Sequence, residues 1–340
     1  MKILILGEFL SQRDDDEGGP FTDGLGSAFK GMLRTAGIEP RHCEFTNVML
    51  RTSPNNSMLG FCGPKSTGIP GMKPVTAGKY MLKEYKPHLD LLWKKINTFQ
   101  PNLVLAVGDL AMWAVSSENN IETARGRICK GNAALPGIKV LPIYSARQMM
   151  IDYTQRPIIL ADMTKAAREM EFKEIRRPQR YIHIQPNLEE IEDFIQTYIE
   201  PCTTLDVDIE TKGTMITCVG FAPSKERALV IPFFDALQKD GNYWRDSHHE
   251  YLAWQACARM LRMGKEICGQ NFQYDMQDLW QLMGIPGPTL TDDTMLLHHA
   301  LQPEMKKGLG FLASIYTDEL PWKFMHKIRS DDKAAKQGDD

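Results

Sequence analysis

The chain has 340 residues, of which 43% are apolar and 24% charged, and its formal net charge is −3. This length allows two domains that each bury a core, and the charge argues against a uniformly basic nucleic-acid-binding surface. Seven cysteines occur without a C-x-x-C pair, which favours reduced thiols over a disulfide framework or a zinc site. Such thiols are typical of a cytoplasmic protein, which is the location we expect. No segment is apolar for long enough to span a membrane.

Strand and helix patterns alternate through the first half of the chain. The predicted strands are KILILG, CEFTNVML, NLVLAVG and KVLPIYS, and the predicted helices are GSAFKGMLRTAG, HLDLLWKKINTF, DLAMWAVSS and PIILADMTKAAREMEF. This alternation predicts a three-layer α/β domain, a mostly parallel sheet covered by helices on both faces. A stretch rich in Gly, Pro, Ser and Asn between Val48 and Tyr85 predicts a long functional or mobile loop.

Several residues lie near strand ends, where open α/β sheets bind their ligands. They are Gly7, Glu8, Phe21, Asn47 and Ser145. An aromatic ring at such an edge can stack on a base, and an asparagine side chain can pair with the edge of a pyrimidine. The residues alone also allow Glu8 to cap a turn, Asn47 to tie a loop to the backbone and Phe21 to pack in the core.

The order of these segments resembles the uracil-DNA glycosylase superfamily, nearest to its family 4 and to phage relatives, over roughly residues 1–170. The matching segments are G-E…G-x-P-F…G, F-T-N-V, PNLVLAVGDLA and VLPIY…RPIILADMTKA. The resemblance implies that Phe21 stacks the flipped uracil and that Asn47 reads its edge. It also implies that the Gly7-Glu8 turn helps to position water and base.

The chain departs from that family in three respects. The first motif continues as Phe9-Leu10-Ser11 instead of A-P-G, and Ser145-Ala146 replaces the His-Pro of the last motif. Since that histidine stabilises charge developing on uracil O2, its loss is expected to slow excision by about a hundredfold to a thousandfold. The four cysteines of family 4 have no counterparts, so no iron–sulfur cluster is expected.

Acidic residues in the second half follow a strand pattern. In LDVDIETKG, Asp208 and Glu210 alternate with apolar residues, which places both carboxylates on one face of a β-strand. Asp275 follows later, in NFQYD. Two carboxylates this close resist burial unless a cation lies between them, and a two-metal site hydrolyses phosphodiesters. The alternatives are a surface strand with paired acids and, for Asp275, an acid favoured by a helix dipole.

From about residue 203 the chain resembles the proofreading 3′–5′ exonuclease domain of family A DNA polymerases, in the DEDD nuclease superfamily. DIET corresponds to its first motif, NFQYD to its second, and DDTMLLHHALQPEMKKGLGFLASIYTDELPWK to the helical stretch that follows. The resemblance implies an RNase H-like α/β fold with a site for two Mg²⁺ or Mn²⁺ ions, which suit oxygen ligands. The implied metal ligands and catalytic residues are Asp208, Glu210 and Asp275. The residues implied to contact the terminal nucleotide are Thr211 and Asn271.

The family's third motif is a tyrosine or histidine followed a few residues later by aspartate, and no Y-x-x-x-D occurs after Trp322. Candidates for the remaining carboxylate are Asp331, Asp332, Asp339 and Asp340, although a charged terminus of this kind more often frays. We therefore expect a chain truncated before that motif or a weakened nuclease. Asp293 is expected to cap a helix and not to bind metal.

These patterns predict a glycosylase-like domain over residues 1–172, a linker over 173–186 and an exonuclease-like domain over 187–340. The predicted function is metal-dependent 3′–5′ exonuclease action on single-stranded DNA ends in replication or repair. DNA is the expected partner, with a polymerase or other replication protein as a candidate; no membrane is expected. Two alternatives remain open, namely base excision by the first domain and a catalytically weakened DNA-binding accessory of replication. If the protein is phage-encoded, the expected location is the host cytoplasm.

Overall fold

The computed structural model describes residues 2–116, 118–288 and 291–319, and these residues form two compact units. Unit 1 comprises residues 2–177 together with residues 310–319, and unit 2 comprises Pro178–Leu309. In the described part of the chain, no helix has the length and apolar character that crossing a bilayer requires.

Unit 1 contains a five-stranded sheet and a separate two-stranded hairpin. Its strands are β1 (Ile3–Leu10), β2 (Cys43–Thr52), β3 (Cys62–Gly63), β4 (Tyr80–Met81), β5 (Leu103–Val107), β6 (Cys129–Lys130) and β7 (Lys139–Ile143). The large sheet has the order β2-β1-β5-β7-β6, in which the first four strands are parallel and β6 is an antiparallel edge. Every residue of β5 and β7 is buried, as expected for parallel strands covered on both faces.

Helices cover this sheet in the layered arrangement that the sequence predicts. They are α1 (Gln12–Asp16), α2 (Gly24–Thr35), α3 (Lys86–Phe99), α4 (Asp109–Val115), α5 (Ile121–Ala124), α6 (Ala146–Ile151) and α7 (Gln155–Glu169). The predicted long loop after β2 is partly structured, because it contains β3, β4 and several 3₁₀ turns. Turn signals between short apolar pieces conceal such small elements from a periodicity analysis.

Unit 2 contains a mixed six-stranded sheet. Its strands are β8 (Tyr181–His183), β9 (Thr204–Lys212), β10 (Met215–Ser224), β11 (Arg227–Pro232), β12 (Glu266–Gly269) and β13 (Thr291–Asp293). Its helices are α8 (Leu188–Phe194), α9 (Ser247–Leu261), α10 (Phe272–Met283) and α11 (Thr294–Leu301). The sheet order is β13-β12-β9-β10-β11-β8.

Strand directions in unit 2 identify its fold class. β9, β10 and β11 form an antiparallel meander, and β12 and β13 continue the sheet parallel to β9. Counted from β9, the order is therefore 3-2-1-4-5, the RNase H-like α/β arrangement that the sequence predicts. β8 adds a parallel edge strand beside β11, and its residues lie inside the segment predicted to be a linker.

The last described helix, α12 (Leu309–Tyr316), belongs to unit 1 from Gly310 onward. This differs from the sequence prediction, which placed all of residues 187–340 in the second domain. Its backbone carbonyls accept hydrogen bonds from buried cations of unit 1: Lys165 Nζ donates to Ser314 O at 2.9 Å, and Arg127 Nη2 donates to Gly310 O at 2.8 Å. Each of these hydrogen bonds satisfies a buried cationic donor of unit 1 and so offsets part of the cost of its desolvation.

Candidate functional site

A cavity of about 90 Å³ in unit 1 is lined by all five residues that the sequence predicts for a base pocket. Strand register explains the convergence of Gly7 and Asn47, because these residues are direct partners across β1 and β2. The register also places Gly7 level with the ends of β5 and β7. The cavity therefore lies at the edge of the sheet where open α/β folds bind ligands.

Asn47 lies deep in this cavity with 4% of its surface exposed. Its Oδ1 approaches the backbone of Gly7 so closely that a Cβ at position 7 would lie 2.2 Å from it. Because an asparagine amide carries both a donor and an acceptor, this side chain is suited to pair with a molecule bound in the cavity.

Phe21 lines the cavity while also packing against the core. Its ring centroid lies 5.4 Å from those of both Phe29 and Phe45. Its backbone has φ 59°, a left-handed conformation that is uncommon outside glycine. Gly26 makes room for this turn, since a Cβ there would lie 2.4 Å from the carbonyl carbon of Phe21. The Phe21 ring therefore does both things that the sequence allows: it packs against core residues and it lines the cavity.

Asp14, which the sequence analysis did not single out, holds the loop that carries Phe21. Its Oδ1 accepts hydrogen bonds from Thr22 N at 2.7 Å, Thr22 Oγ1 at 2.8 Å and Asp23 N at 3.1 Å, and its Oδ2 accepts one from Ser11 N. Desolvation favours the neutral acid, but these hydrogen bonds outweigh it and lower the pKa of Asp14. The S-x-x-D capping-box pattern beginning at Ser11 was the available sequence signal.

Glu8 caps helix α4 and lines the cavity at the same time. Its Oε1 accepts a hydrogen bond from Leu110 N at 3.0 Å. Gly108 has φ 97°, and a Cβ there would lie 2.6 Å from the carboxyl carbon of Glu8. Desolvation raises the pKa of Glu8 to about 7, despite the opposing effects of the Leu110 hydrogen bond and the charge of Arg147. Burial thus makes this carboxyl a weaker acid than an exposed glutamic acid.

Ser145 and Arg147 complete the rim of the cavity. Ser145 is half-buried, and its backbone N–H donates to the side chain of Gln148 at 3.2 Å. Arg147, two residues further on, lines the same cavity and was missed by the sequence analysis. Its guanidinium donates from Nη1 to Asn56 O at 2.8 Å and from Nη2 to Asn56 Oδ1 at 3.1 Å.

In unit 2 the acidic residues of β9 alternate with apolar ones as the sequence indicates. Asp208 and Glu210 are exposed on one face of the strand, while Val207 and Ile209 are buried on the other. The alternation follows from the two-residue repeat of a β-strand. The two carboxylates therefore share a face.

Asp275 of α10 lies against the same strand. It is 4% exposed, and its Oδ1 accepts a hydrogen bond from Ile209 N at 2.9 Å, between Asp208 and Glu210 in the chain. Desolvation, and to a lesser extent the charge of Asp208, raise the pKa of Asp275 to about 6. The structure thus brings Asp275 close to Asp208, although their separation in sequence is large.

The expected enclosed metal site is not assembled by the described residues. Within residues 2–116, 118–288 and 291–319, no group of three His, Cys, Asp or Glu side chains is placed to hold a metal ion. Asp208 and Glu210 point to solvent, where water weakens their mutual repulsion. Carboxylate oxygens suit Mg²⁺, but the neighbouring pair Asp208 and Asp275 is too small a ligand set for two ions. The acidic candidates near residue 340 lie outside the described residues.

The two predicted nucleotide contacts in unit 2 have different surroundings. Thr211 Oγ1 lies 3.0 Å from the hydroxyl of Tyr274, whereas Asn271 is exposed in a left-handed conformation, φ 57°, before α10. Asp293 accepts hydrogen bonds from Asn271 N, Phe272 N and Met295 N. The prediction that Asp293 caps a helix is confirmed, and it caps the start of α10 as well as α11.

Solved structures similar to the chain include RNase D of Escherichia coli, an exoribonuclease involved in structured RNA processing. Its sequence is 14% identical to this chain and the TM-score is 0.33. The matched region covers 43% of this chain and 35% of the RNase D chain. NrnC of Brucella melitensis with bound Mg²⁺ is 14% identical with a TM-score of 0.29, covering 48% and 84% respectively. The chain thus spans about a third of the RNase D chain, and the chemistry of unit 2 has to be judged from its own residues.

A search of curated proteins found no match to the chain. A family model described as the uracil DNA glycosylase superfamily matches residues 1–171, the part of the chain that forms the strands and helices around the cavity. The resemblance of the first half, inferred from its ordered motifs, is therefore confirmed. The protein belongs to the uracil DNA glycosylase superfamily.

Proposed function

We propose that the protein is a nucleic-acid-processing enzyme whose unit 1 binds a flipped uracil and excises it from DNA. The observation that carries this proposal is the position of Asn47, whose side chain is 4% exposed and lines a cavity together with Phe21 and Gly7. The edge of a pyrimidine carries a donor and acceptors that an asparagine amide can pair with. The ring of Phe21 offers a face on which the base can stack.

Glu8 is suited to act as the general base for the attacking water in this reaction. Excision breaks the bond between C1′ and N1, the bonding electron pair leaves with the base, and water oxygen bonds to C1′. A carboxyl whose pKa is raised to about 7 can accept the proton of that water at neutral pH. Its hydrogen bond from Leu110 N holds the acceptor in one orientation.

The test is release of uracil from single-stranded DNA in EDTA, with Asn47→Ala compared with the wild type. Excision by the wild type and its loss in Asn47→Ala are expected, because the variant cannot pair with the base. Asn97→Ala is the matched control, since Asn97 is exposed and its side chain donates to Ala134 O away from the cavity. Absence of abasic sites with the wild-type protein would refute excision.

A second candidate function is metal-dependent 3′–5′ exonuclease action by unit 2 on single-stranded DNA. It is favoured by the position of Asp275, whose carboxylate contacts the β9 backbone between Asp208 and Glu210. Asp208 and Asp275 would supply part of the ligand set for Mg²⁺ or Mn²⁺, and the bound metal would help to orient a terminal phosphodiester. Bound Mg²⁺ would also lower the pKa of Asp275, because a nearby cation favours the ionised acid.

This candidate is tested by release of labelled mononucleotides from a 3′ end with Mn²⁺. Asp208→Ala and Asp275→Asn should both abolish release, and Asp275→Asn keeps an oxygen that can accept from Ile209 N. Asp278→Asn, one turn further along α10, is the control for a lost charge. Release that is the same in the wild type and in Asp208→Ala would exclude this function.

A further inference from the structure

We infer that Arg147 supplies the positive charge that stabilises the departing uracil anion, in place of the histidine that Ser145-Ala146 lack. This inference rests on the proposed excision of uracil. Arg147 lines the same cavity as Asn47 and Phe21, and it lies two residues beyond Ser145 in the chain. It is thus a catalytic residue that the family's motif does not mark.

The charge balance of the cavity requires such a group. Among the described residues that line it, three are acidic, Glu8, Asp14 and Asp23, and Arg147 alone is basic. Negative charge developing on a base in this cavity would be repelled by the carboxylates unless a cation lay nearby. Arg147 lines the cavity together with Glu8 and Asn47, which places it beside the space that a base would occupy.

Arg147 is also held in place before any substrate binds. Its guanidinium donates two hydrogen bonds to Asn56, one to the backbone carbonyl and one to the side chain. Asn55 and Asn56 have φ 56° and 52°, a tight left-handed turn that asparagine tolerates better than most residues. Two N–H groups of the guanidinium are used in this way, and three of its five remain for an anion.

The long segment after β2 positions the guanidinium of Arg147. Asn56 belongs to that segment, and its two acceptor oxygens fix the plane of the guanidinium at the rim of the cavity. A fixed donor stabilises developing charge better than a mobile one, because it needs no reorganisation when the bond breaks. The segment is therefore a support for the cation.

The test compares single-turnover excision of uracil and 5-fluorouracil from otherwise identical single-stranded DNA. The anion of 5-fluorouracil is the more stable leaving group, so its departure depends less on a stabilising positive charge. Arg147→Ala should slow uracil excision by about a hundredfold or more, and 5-fluorouracil excision by clearly less. Asn56→Gly, which removes one acceptor without straining the turn, should show a smaller loss of the same kind. Arg34→Ala is the control for a lost surface charge.

Equal losses on both bases, accompanied by weaker DNA affinity and a shallower salt dependence, would identify a phosphate contact and overturn the inference. Unchanged rates would overturn it as well.

A second measurement does not depend on excision. Free uracil should bind the wild type more tightly once alkaline pH ionises the uracil, and Arg147→Ala should lose this preference for the anion. If the wild type excises nothing yet prefers the anion, the proposed function fails and the role of Arg147 in binding charge stands. Without that preference, the inference fails.

Discussion

Arg125 and Asp162 form a doubly hydrogen-bonded ion pair inside unit 1, with Nε–Oδ2 at 2.9 Å and Nη2–Oδ1 at 2.8 Å. Both side chains are 1% exposed, and Arg125 Nη1 also donates to Ser314 Oγ of α12 at 3.1 Å. Asp162→Asn should lower the free energy of unfolding of unit 1 by about 3–5 kcal/mol, because it leaves a buried guanidinium without its counter-charge. Hydrogen exchange of the β1 and β5 amides measures this loss.

An exposed pair serves as the control for that prediction. Arg13 and Glu17 lie on the surface one helical turn apart, where solvent screens their attraction. Glu17→Gln should therefore leave the free energy of unfolding nearly unchanged. If the two variants had equal effects, the buried pair would contribute no more than an exposed one.

Gly7→Ala should close the cavity in which we propose that uracil binds. Its Cβ would lie 2.2 Å from Asn47 Oδ1 and 2.9 Å from the ring of Phe21, so one of these side chains has to move. We expect affinity for free uracil to fall at least about tenfold, the effect of losing roughly 1.4 kcal/mol of binding energy. Gly31→Ala on α2 meets nothing within 4 Å and should bind uracil normally while raising stability slightly. Calorimetric titration compares them, and normal binding by Gly7→Ala would show that uracil lies elsewhere.

Glu8→Gln should change how stability depends on pH. Because burial raises the pKa of Glu8 from its ordinary value of 4.5 to about 7, the folded state holds a proton that the unfolded state releases between these values. Wild-type stability should therefore be fully present below pH 4.5 and fall as the pH rises to about 7, by up to on the order of 3 kcal/mol. The variant keeps an acceptor for Leu110 N and should lack this fall. Urea unfolding at several pH values provides the measurement, and parallel curves would contradict the prediction.

Asp14→Asn should loosen the loop that presents Phe21. Both carboxylate oxygens of Asp14 accept hydrogen bonds, whereas an asparagine side chain has only one acceptor oxygen. At least one of the N–H groups of Ser11, Thr22 and Asp23 therefore loses its acceptor, at a cost of about 1–3 kcal/mol. The pKa of Asp14 is lowered, so its stabilisation is present above the ordinary value of 3.8 and is lost as the pH falls through the lowered pKa. The variant should lack this acid transition and bind uracil more weakly. Unchanged uracil binding would mean that the Phe21 loop holds its position without Asp14.

Local patterns accounted for most of the fold. The strands around Leu105 and Val140, and the helix that contains Leu92, follow directly from apolar periodicity, and the ordered motifs led to the superfamily. The residues that line the cavity were also predicted to lie together, because parallel strands end at a common edge. The short hairpin after β2 and the edge strand β8 were missed, since two or three residues carry no detectable period.

The sequence by itself determined the two α/β units, the alternation of acids on β9, and the gathering of Gly7, Phe21 and Asn47 at one edge of a sheet. Only the tertiary structure decided that α12 packs with unit 1 and that Arg147 lies on Asn56 at the cavity rim. It also decided that Asp208 and Glu210 remain in solvent beside a buried Asp275. The periodicity of the sequence determines on which face of a helix or strand a side chain lies. Which distant segment packs against that face depends on desolvation and on hydrogen bonds between segments, which no local pattern contains.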